Sequence, residues 1–154
     1  MLNASQNSAL FALFNILDTT EIVWALTGST SMAIQGMSLV PNDIDIQTNE
    51  VGAYRMNELL KNFAKTAVSF SSTEKIRSHF GIFDFNGVLV EVMGDIQKYY
   101  DGKWEELVDL NPHIKRIVYK NMNLPVLNLE YESLAYKKLG RNERAKAIDD
   151  FLLG

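Results

Sequence analysis

The sequence predicts an α+β domain in which a mixed β-sheet is flanked by helices. Apolar runs of strand length are mixed with amphipathic segments of helical period, without the regular strand–helix–strand alternation of a parallel α/β fold. An Asn86-Gly87 pair also separates two apolar segments, residues 81–85 and 88–93. Asn-Gly is the favoured pair for a tight hairpin turn because both residues must adopt a positive φ, so at least one antiparallel pair is expected.

The N-terminal part predicts two helices and two strands. Apolar residues spaced by three and four predict a helix over residues 5–18. The apolar run 22–26 predicts a buried strand that ends at Gly28, and the three hydroxyl residues after this glycine are suited to begin a short helix through about residue 35. Residues 43–46 predict a second strand, in which apolar and acidic side chains alternate between the two faces.

The remaining elements follow from weaker patterns. Residues 54–63 predict a third helix, and residues 115–126 predict a second hairpin around Asn121. The segment 128–153 predicts one or two helices, with a break near Gly140.

Length and composition indicate one globular domain over residues 1–154. The chain is 47 % hydrophobic and 22 % charged, which is enough apolar material for a real core. The absence of cysteine excludes disulfides and thiolate chemistry, and the net charge of −4 gives no general attraction to nucleic acid. No apolar run approaches the roughly 20 residues of a membrane span, so we expect no membrane contact and a cytoplasmic location.

One segment carries the chemistry. Gly28-Ser29 follows the first predicted strand, and after thirteen intervening residues Asp43 and Asp45 lie two apart on the second. Their carboxylates therefore point to the same face, where they repel one another unless a cation lies between them. Hard divalent ions prefer carboxylate oxygens, and a glycine turn lets a phosphate approach the backbone closely. The pattern predicts a metal and phosphate site.

This pattern resembles the nucleotidyltransferase superfamily of the DNA-polymerase-β type. Members carry an apolar residue, Gly, then Gly or Ser, a gap, and an acid-apolar-acid-apolar strand, and the gap in this chain is at the long end of the family range. The resemblance implies a polymerase-β-like nucleotidyltransferase fold and a nucleoside triphosphate substrate. It also implies that Gly28 and Ser29 grip the triphosphate, while Asp43 and Asp45 hold two Mg²⁺ ions.

The resemblance further implies a third carboxylate on a neighbouring strand, acting at the metal or as a general base. We assign it to Glu91, because an acid within the apolar segment 88–93 needs a cation partner. Asp84 and Asp95 are competing candidates. A structural salt bridge of Glu91 with one of three basic residues, Arg77, Lys115 or Arg116, is the alternative.

The C-terminal segment resembles the terminal helices of small antibiotic nucleotidyltransferases, of the aminoglycoside and lincosamide type. There a lysine of the first helix reaches the triphosphate. With Leu134 taken as core-facing, helical spacing does not separate Lys137 from Lys138, and we choose Lys137. The alternative is that both lysines belong to a solvated helix face.

The expected function is transfer of a nucleoside monophosphate, AMP from ATP, to a hydroxyl of a small molecule with release of pyrophosphate. A homodimer that builds the acceptor cleft at its interface fits a chain this short. The alternatives are transfer to tRNA or to a protein side chain, as in toxin–antitoxin relatives, and a catalytically silent nucleotide-binding module. The acidic balance argues against tRNA.

Overall fold

A computed structural model describes the whole chain, residues 1–154. It contains five α-helices, which are α1 (Ala4–Leu17), α2 (Gly28–Ile34), α3 (Glu50–Leu59), α4 (Leu129–Lys138) and α5 (Asn142–Leu153). Its eight strands are β1 (Trp24–Thr27), β2 (Ile44–Thr48), β3 (Ala64–Ser72), β4 (Ile76–Phe85), β5 (Val88–Tyr100), β6 (Lys103–Trp104), β7 (Ile114–Tyr119) and β8 (Met122–Leu127).

Seven strands form one continuous sheet in the order β3-β4-β5-β2-β1-β8-β7, and β6 pairs with the end of β5. The pairs β2/β5 and β1/β8 are parallel, whereas all other neighbours are antiparallel. The sheet is therefore mixed and flanked by helices, as the sequence predicts. None of the five helices combines the length and the hydropathy needed to cross a bilayer.

The two sides of the central strands differ in chemistry. Ile44 and Ile46 of β2 and Val90 and Val92 of β5 are fully buried in the main hydrophobic core, together with apolar residues of α1 and α3. Burying each of these side chains contributes about 2 kcal/mol. Because side chains alternate along a strand, this packing places the intervening residues, Asp45 and Glu91, on the other face.

The predicted hairpin is confirmed. Asn86 and Gly87 both have positive φ, at 54° and 92°, and the Gly87 amide donates to Asp84 Oδ1 at 2.7 Å. The break at Gly140 is also confirmed, since this glycine has φ +75° between α4 and α5.

Several sequence predictions were wrong in detail. β3 was missed altogether, because only Val68 among its nine residues is buried and no alternation is visible. α3 begins at Glu50, earlier than predicted, because the Asn49 side chain caps it by accepting from the Gly52 amide at 2.8 Å. Asp43 precedes β2 and is not part of it. Leu134, taken as core-facing, is 58 % exposed.

Candidate active site

The turn after β1 is built around Gly28, which has φ +67°. Thr27 lies opposite Asp45 in the antiparallel register of β1 and β2, so the turn lies against the Asp45 carboxylate. A Cβ atom at residue 28 would lie only 2.6 Å from Asp45 Oδ2. Glycine is thus favoured here for two reasons, the left-handed backbone and the close approach to Asp45.

Asp45 and Glu91 are brought together by the parallel pairing of β2 and β5, where they are direct register partners. As register partners on parallel strands, their carboxyl groups project from the same face of the sheet. Burial, followed by the negative charge and hydrogen bond of Glu91 and the charges of Asp43 and Glu132, raises the pKa of Asp45 to about 7. Asp45 Oδ1 is buried without a hydrogen-bond partner.

Asp43 lies at the edge of this pair. Its carbonyl oxygen accepts a hydrogen bond from Thr30 Oγ1 at 2.7 Å, which ties the entrance of β2 to α2. Its charge acts on Asp45, but Asp43 does not line the adjoining cavity. No three acidic or histidine side chains converge tightly enough to hold an ion by themselves.

The donor set nevertheless fits Mg²⁺. This ion is usually held by one or two carboxylates, with substrate phosphates and water completing an octahedron, so a tight protein cage is not expected. Asp45 and Glu91 supply two adjacent carboxyl groups, whose oxygen atoms are hard ligands. Asp45 Oδ1 has no hydrogen-bond partner in the protein.

A cavity of about 240 Å³ opens beside the carboxylate pair, between the sheet and α4. Asp45, Glu91 and Glu132 line its acidic end, next to the Gly28 turn. Its walls are largely apolar, formed by Ile76, Met93, Ile96, Ala135 and Leu139. Lys98 and Arg141 are its two basic residues.

Lys98 marks the opposite end of the cavity, because it follows Glu91 by seven residues along β5. Its side chain is 5 % exposed, and its Nζ lies 3.0 Å from Glu105 Oε1. Lys138 Nζ, near the end of α4, lies 2.8 Å from Glu105 Oε2. Although partial burial opposes it, hydrogen bonds from Lys138 and Lys98 lower the pKa of Glu105, so the carboxylate bridges both lysines in its charged form.

The sequence analysis missed Glu132, which is 3 % exposed and lies in the acidic end of the cavity. Its Oε1 accepts from the Gly28 amide at 2.8 Å and from the Thr27 hydroxyl, whereas Oε2 is buried without a partner. Burial raises the pKa of Glu132 to about 7, against the opposing effects of these hydrogen bonds and of Arg144. The only sequence signal was its spacing of three from Leu129, a core residue of the same helix.

Two other predicted site residues, Ser29 and Lys137, do not line the cavity. Ser29 is half-buried directly after Gly28 and does not line the cavity. The structure does not bring Lys137 to the site, since its Nζ lies 2.9 Å from Asp149 Oδ2 of α5 and it does not line the cavity. Arg141, three residues beyond the end of α4, does line it.

The competitors of Glu91 have other partners. Asp84 is exposed and accepts from the turn it precedes, and Asp95 Oδ2 accepts from the Glu50 amide at 3.1 Å. Arg77 donates from Nε to Gln97 Oε1 at 2.9 Å and forms no salt bridge with Glu91.

A glycine turn pressed against one acidic strand, with a second acidic strand beside it, is the arrangement expected from the resemblance to nucleotidyltransferases of the polymerase-β type. The family model for aminoglycoside-2″-adenylyltransferases matches residues 9–152. The chain therefore belongs to this nucleotidyltransferase family. No curated protein sequence matches it.

Solved structures agree with this assignment. A presumed nucleotidyltransferase from Thermotoga maritima is 43 % identical, with a TM-score of 0.88 over 99 % of this chain and 95 % of that one. The antibiotic-resistance factor ANT(2″)-Ia shares the fold at 8 % identity, with a TM-score of 0.63 over 97 % of this chain and 90 % of that one, in a crystal structure with adenylyl-2″-tobramycin. Its solution structure has a TM-score of 0.61 at 10 % identity, over 96 % of this chain and 84 % of that one.

Proposed function

We propose that the protein transfers AMP from ATP to a hydroxyl group of a small-molecule acceptor and releases pyrophosphate, in a Mg²⁺-dependent reaction. The observation that carries the proposal is the pairing of Asp45 with Glu91 beside the Gly28 turn, with one buried oxygen of Asp45 unpartnered. Two partly buried acids held side by side cost stability in the absence of a cation, which favours a site for divalent ions over a purely structural role.

Asp45 and Glu91 would hold the metal, with Asp43 at the edge of the site as a further ligand of a two-ion centre. Bound Mg²⁺ would neutralise the triphosphate and the leaving pyrophosphate, and would lower the pKa of the acceptor hydroxyl. Glu91 lines the cavity and would accept the proton of an acceptor bound there.

Gly28 and Ser29 have different tasks at the triphosphate. The Gly28 amide already donates to Glu132, so it is not free for a phosphate. The role of Gly28 is to leave room beside Asp45, because a Cβ atom at this position would lie 2.6 Å from Asp45 Oδ2 and fill that room. Ser29, half-exposed at the next position, supplies the hydroxyl contact to the phosphate oxygens.

The cavity favours an acceptor rich in amino and hydroxyl groups. Three residues that line it carry a buried acceptor without a partner: Asp45 Oδ1, Gln47 Oε1 and Glu132 Oε2. A ligand that donates hydrogen bonds or carries ammonium groups would satisfy them, as an aminoglycoside does. The family description and the adenylyl-2″-tobramycin complex of ANT(2″)-Ia support the same acceptor class.

The same chemistry disfavours the alternative acceptors. A cavity with three carboxyls at its reactive end, on a chain of net charge −4, repels the phosphates of tRNA. The cavity, at about 240 Å³, is smaller than the roughly 300 Å³ at which ligand pockets usually begin, so one chain alone offers little surface to enclose the acceptor, and a second copy would add to it. A homodimer remains part of the proposal for that reason.

The test is incubation with each α-labelled nucleoside triphosphate and Mg²⁺ against panels of aminoglycosides, other metabolites, RNA and proteins. We expect label from ATP on an amino-bearing small molecule, and none in the double variant Asp43→Asn/Asp45→Asn. The matched control is Asp84→Asn, an acid outside the cavity, which should label like the unmodified protein.

Two results would overturn the proposal. Label on RNA or on protein would replace the small-molecule acceptor. Nucleotide binding without transfer to any acceptor would favour a silent binding module.

A further inference from the structure

We propose that Glu132 is a positioning residue for the active-site turn, so that helix α4 forms part of the nucleotide site. The inference rests on the proposed function, because it assigns Glu132 a task in nucleotide binding. Glu132 would act through Thr27 and Gly28 without touching the reacting atoms.

The contact joins distant parts of the chain. Glu132 lies 104 residues after Gly28, yet a single oxygen, Oε1, accepts from both the Gly28 amide, at 2.8 Å, and the Thr27 hydroxyl. The Asn128 side chain caps α4 by accepting from the Tyr131 amide at 2.8 Å, which fixes the first turn of the helix that carries Glu132. The Glu132 carboxyl group is thus positioned by its own helix as well as by the turn it contacts.

The two donors belong to the residues that define the geometry of the site. Thr27 is the register partner of Asp45, and Gly28 adopts the left-handed conformation that places its Cα beside Asp45 Oδ2. A rotation of the Gly28 peptide would move Ser29 and close the space next to Asp45. Two hydrogen bonds to a charged or partly charged acceptor restrict this rotation.

A purely structural contact does not explain the choice of residue. Glu132 is 3 % exposed, and its second oxygen is buried and unpartnered at the cavity. Burying a carboxyl group in this way costs free energy that an apolar side chain packed between α4 and the sheet would avoid. The cost is understandable if the group is needed to orient the turn, and if Oε2 receives a donor from the bound substrate.

The experiment compares Glu132→Ala and Glu132→Gln in the full chain, with Glu130→Ala, an exposed acid two residues away on the same helix, as the matched control. The measurement is the calorimetric Kd for a non-hydrolysable ATP analogue with Mg²⁺. We expect Glu132→Ala to weaken binding about tenfold or more, as is typical when hydrogen bonds to a charged group are lost. Glu132→Gln should stay within about threefold, because the amide oxygen can accept the same two bonds, and Glu130→Ala should bind like the unmodified protein.

A second measurement does not depend on nucleotide binding. The exchange rate of the Gly28 amide proton, followed by NMR without ligand, should rise about tenfold in Glu132→Ala and change little in Glu132→Gln. If Glu132→Ala does not fold, Thr27→Val replaces it, since that change removes one donor and should give a smaller loss of affinity in the same direction.

The outcomes separate the two proposals. Unchanged nucleotide affinity in Glu132→Ala, or an equal loss in Glu132→Gln and Glu132→Ala, would overturn the positioning role. If Thr27→Val is needed instead, unchanged affinity in that variant would overturn it. If the unmodified protein binds no nucleotide, the proposed function fails. The positioning role is then tested by amide exchange alone: an unaltered Gly28 exchange rate in Glu132→Ala would show that Glu132 does not hold the turn.

Discussion

Substitution of Gly28 by alanine tests whether the close packing of the turn on Asp45 matters for the site. The new Cβ would meet two separate penalties. The first is the positive φ of +67°, which costs a residue with a side chain about 1 kcal/mol. The second is the contact with Asp45 Oδ2 at 2.6 Å, which neither atom can accept without moving.

A matched control separates the two penalties. Gly102 has a similar φ of +79°, but a Cβ there would meet nothing within 4 Å. Gly102→Ala should therefore lose only about 1 kcal/mol of unfolding free energy. Gly28→Ala should lose about 2 to 4 kcal/mol, because overpacking a buried site adds about 1 to 3 kcal/mol to the backbone strain.

Urea denaturation measures the stability, and calorimetry with an ATP analogue and Mg²⁺ measures the site. We expect Gly28→Ala to weaken nucleotide binding at least about tenfold, since Asp45 must leave its position, whereas Gly102→Ala should bind normally. In an Asp45→Ala background the clash is absent, so Gly28→Ala should then cost no more than Gly102→Ala. The reasoning is refuted if Gly28→Ala and Gly102→Ala are equally stable and bind nucleotide equally well.

Three further predictions concern charged groups around the cavity. Because the folded-state pKa of Glu132 is raised from 4.5 to about 7, this group should remove up to about 3 kcal/mol of stability as pH rises from about 4.5 to 7. The pKa of Asp45 is also raised to about 7 and gives a slope of the same sign, so Glu132→Gln should reduce the fall in stability without abolishing it in urea titrations at stepped pH. Glu105→Gln should lower the unfolding free energy by about 3 kcal/mol, because Lys98 would be left buried without its carboxylate; a loss below about 1 kcal/mol would contradict this. Arg141→Ala should raise the Kd for an ATP analogue several-fold while Lys137→Ala leaves it unchanged, because Arg141 lines the cavity that adjoins the Gly28 turn and Asp45, whereas Lys137 pairs with Asp149; the opposite ranking would restore Lys137 as the phosphate ligand.

Much of the fold and the centre of the site were predictable because they depend on local patterns. The Asn86-Gly87 turn is determined by the φ values that two adjacent residues can adopt. Because side chains alternate along a strand, the sequence of β2 alone shows that Asp45 and its apolar neighbours point to opposite faces. Such features need only a few consecutive residues, so the sequence displays them directly.

Elements with little buried surface were less predictable. The edge strand β3 exposes eight of its nine residues and owes its conformation to pairing with β4, which is a tertiary contact. Neither Lys137 nor Lys138, the two candidates from the sequence, lines the cavity, whereas Arg141 does, and this depends on where α4 ends relative to the cavity. Helical spacing alone could not supply that information.

The sequence by itself determined the α+β class, the glycine turn and the acidic strand, because each is fixed by the conformational preferences and periodicity of neighbouring residues. Only the tertiary structure decided that Glu91 pairs with Asp45, that Glu132 reaches back to the Gly28 amide, and that Lys137 turns away to Asp149. Those contacts join residues tens of positions apart, and their geometry depends on strand order and helix packing that no local pattern encodes.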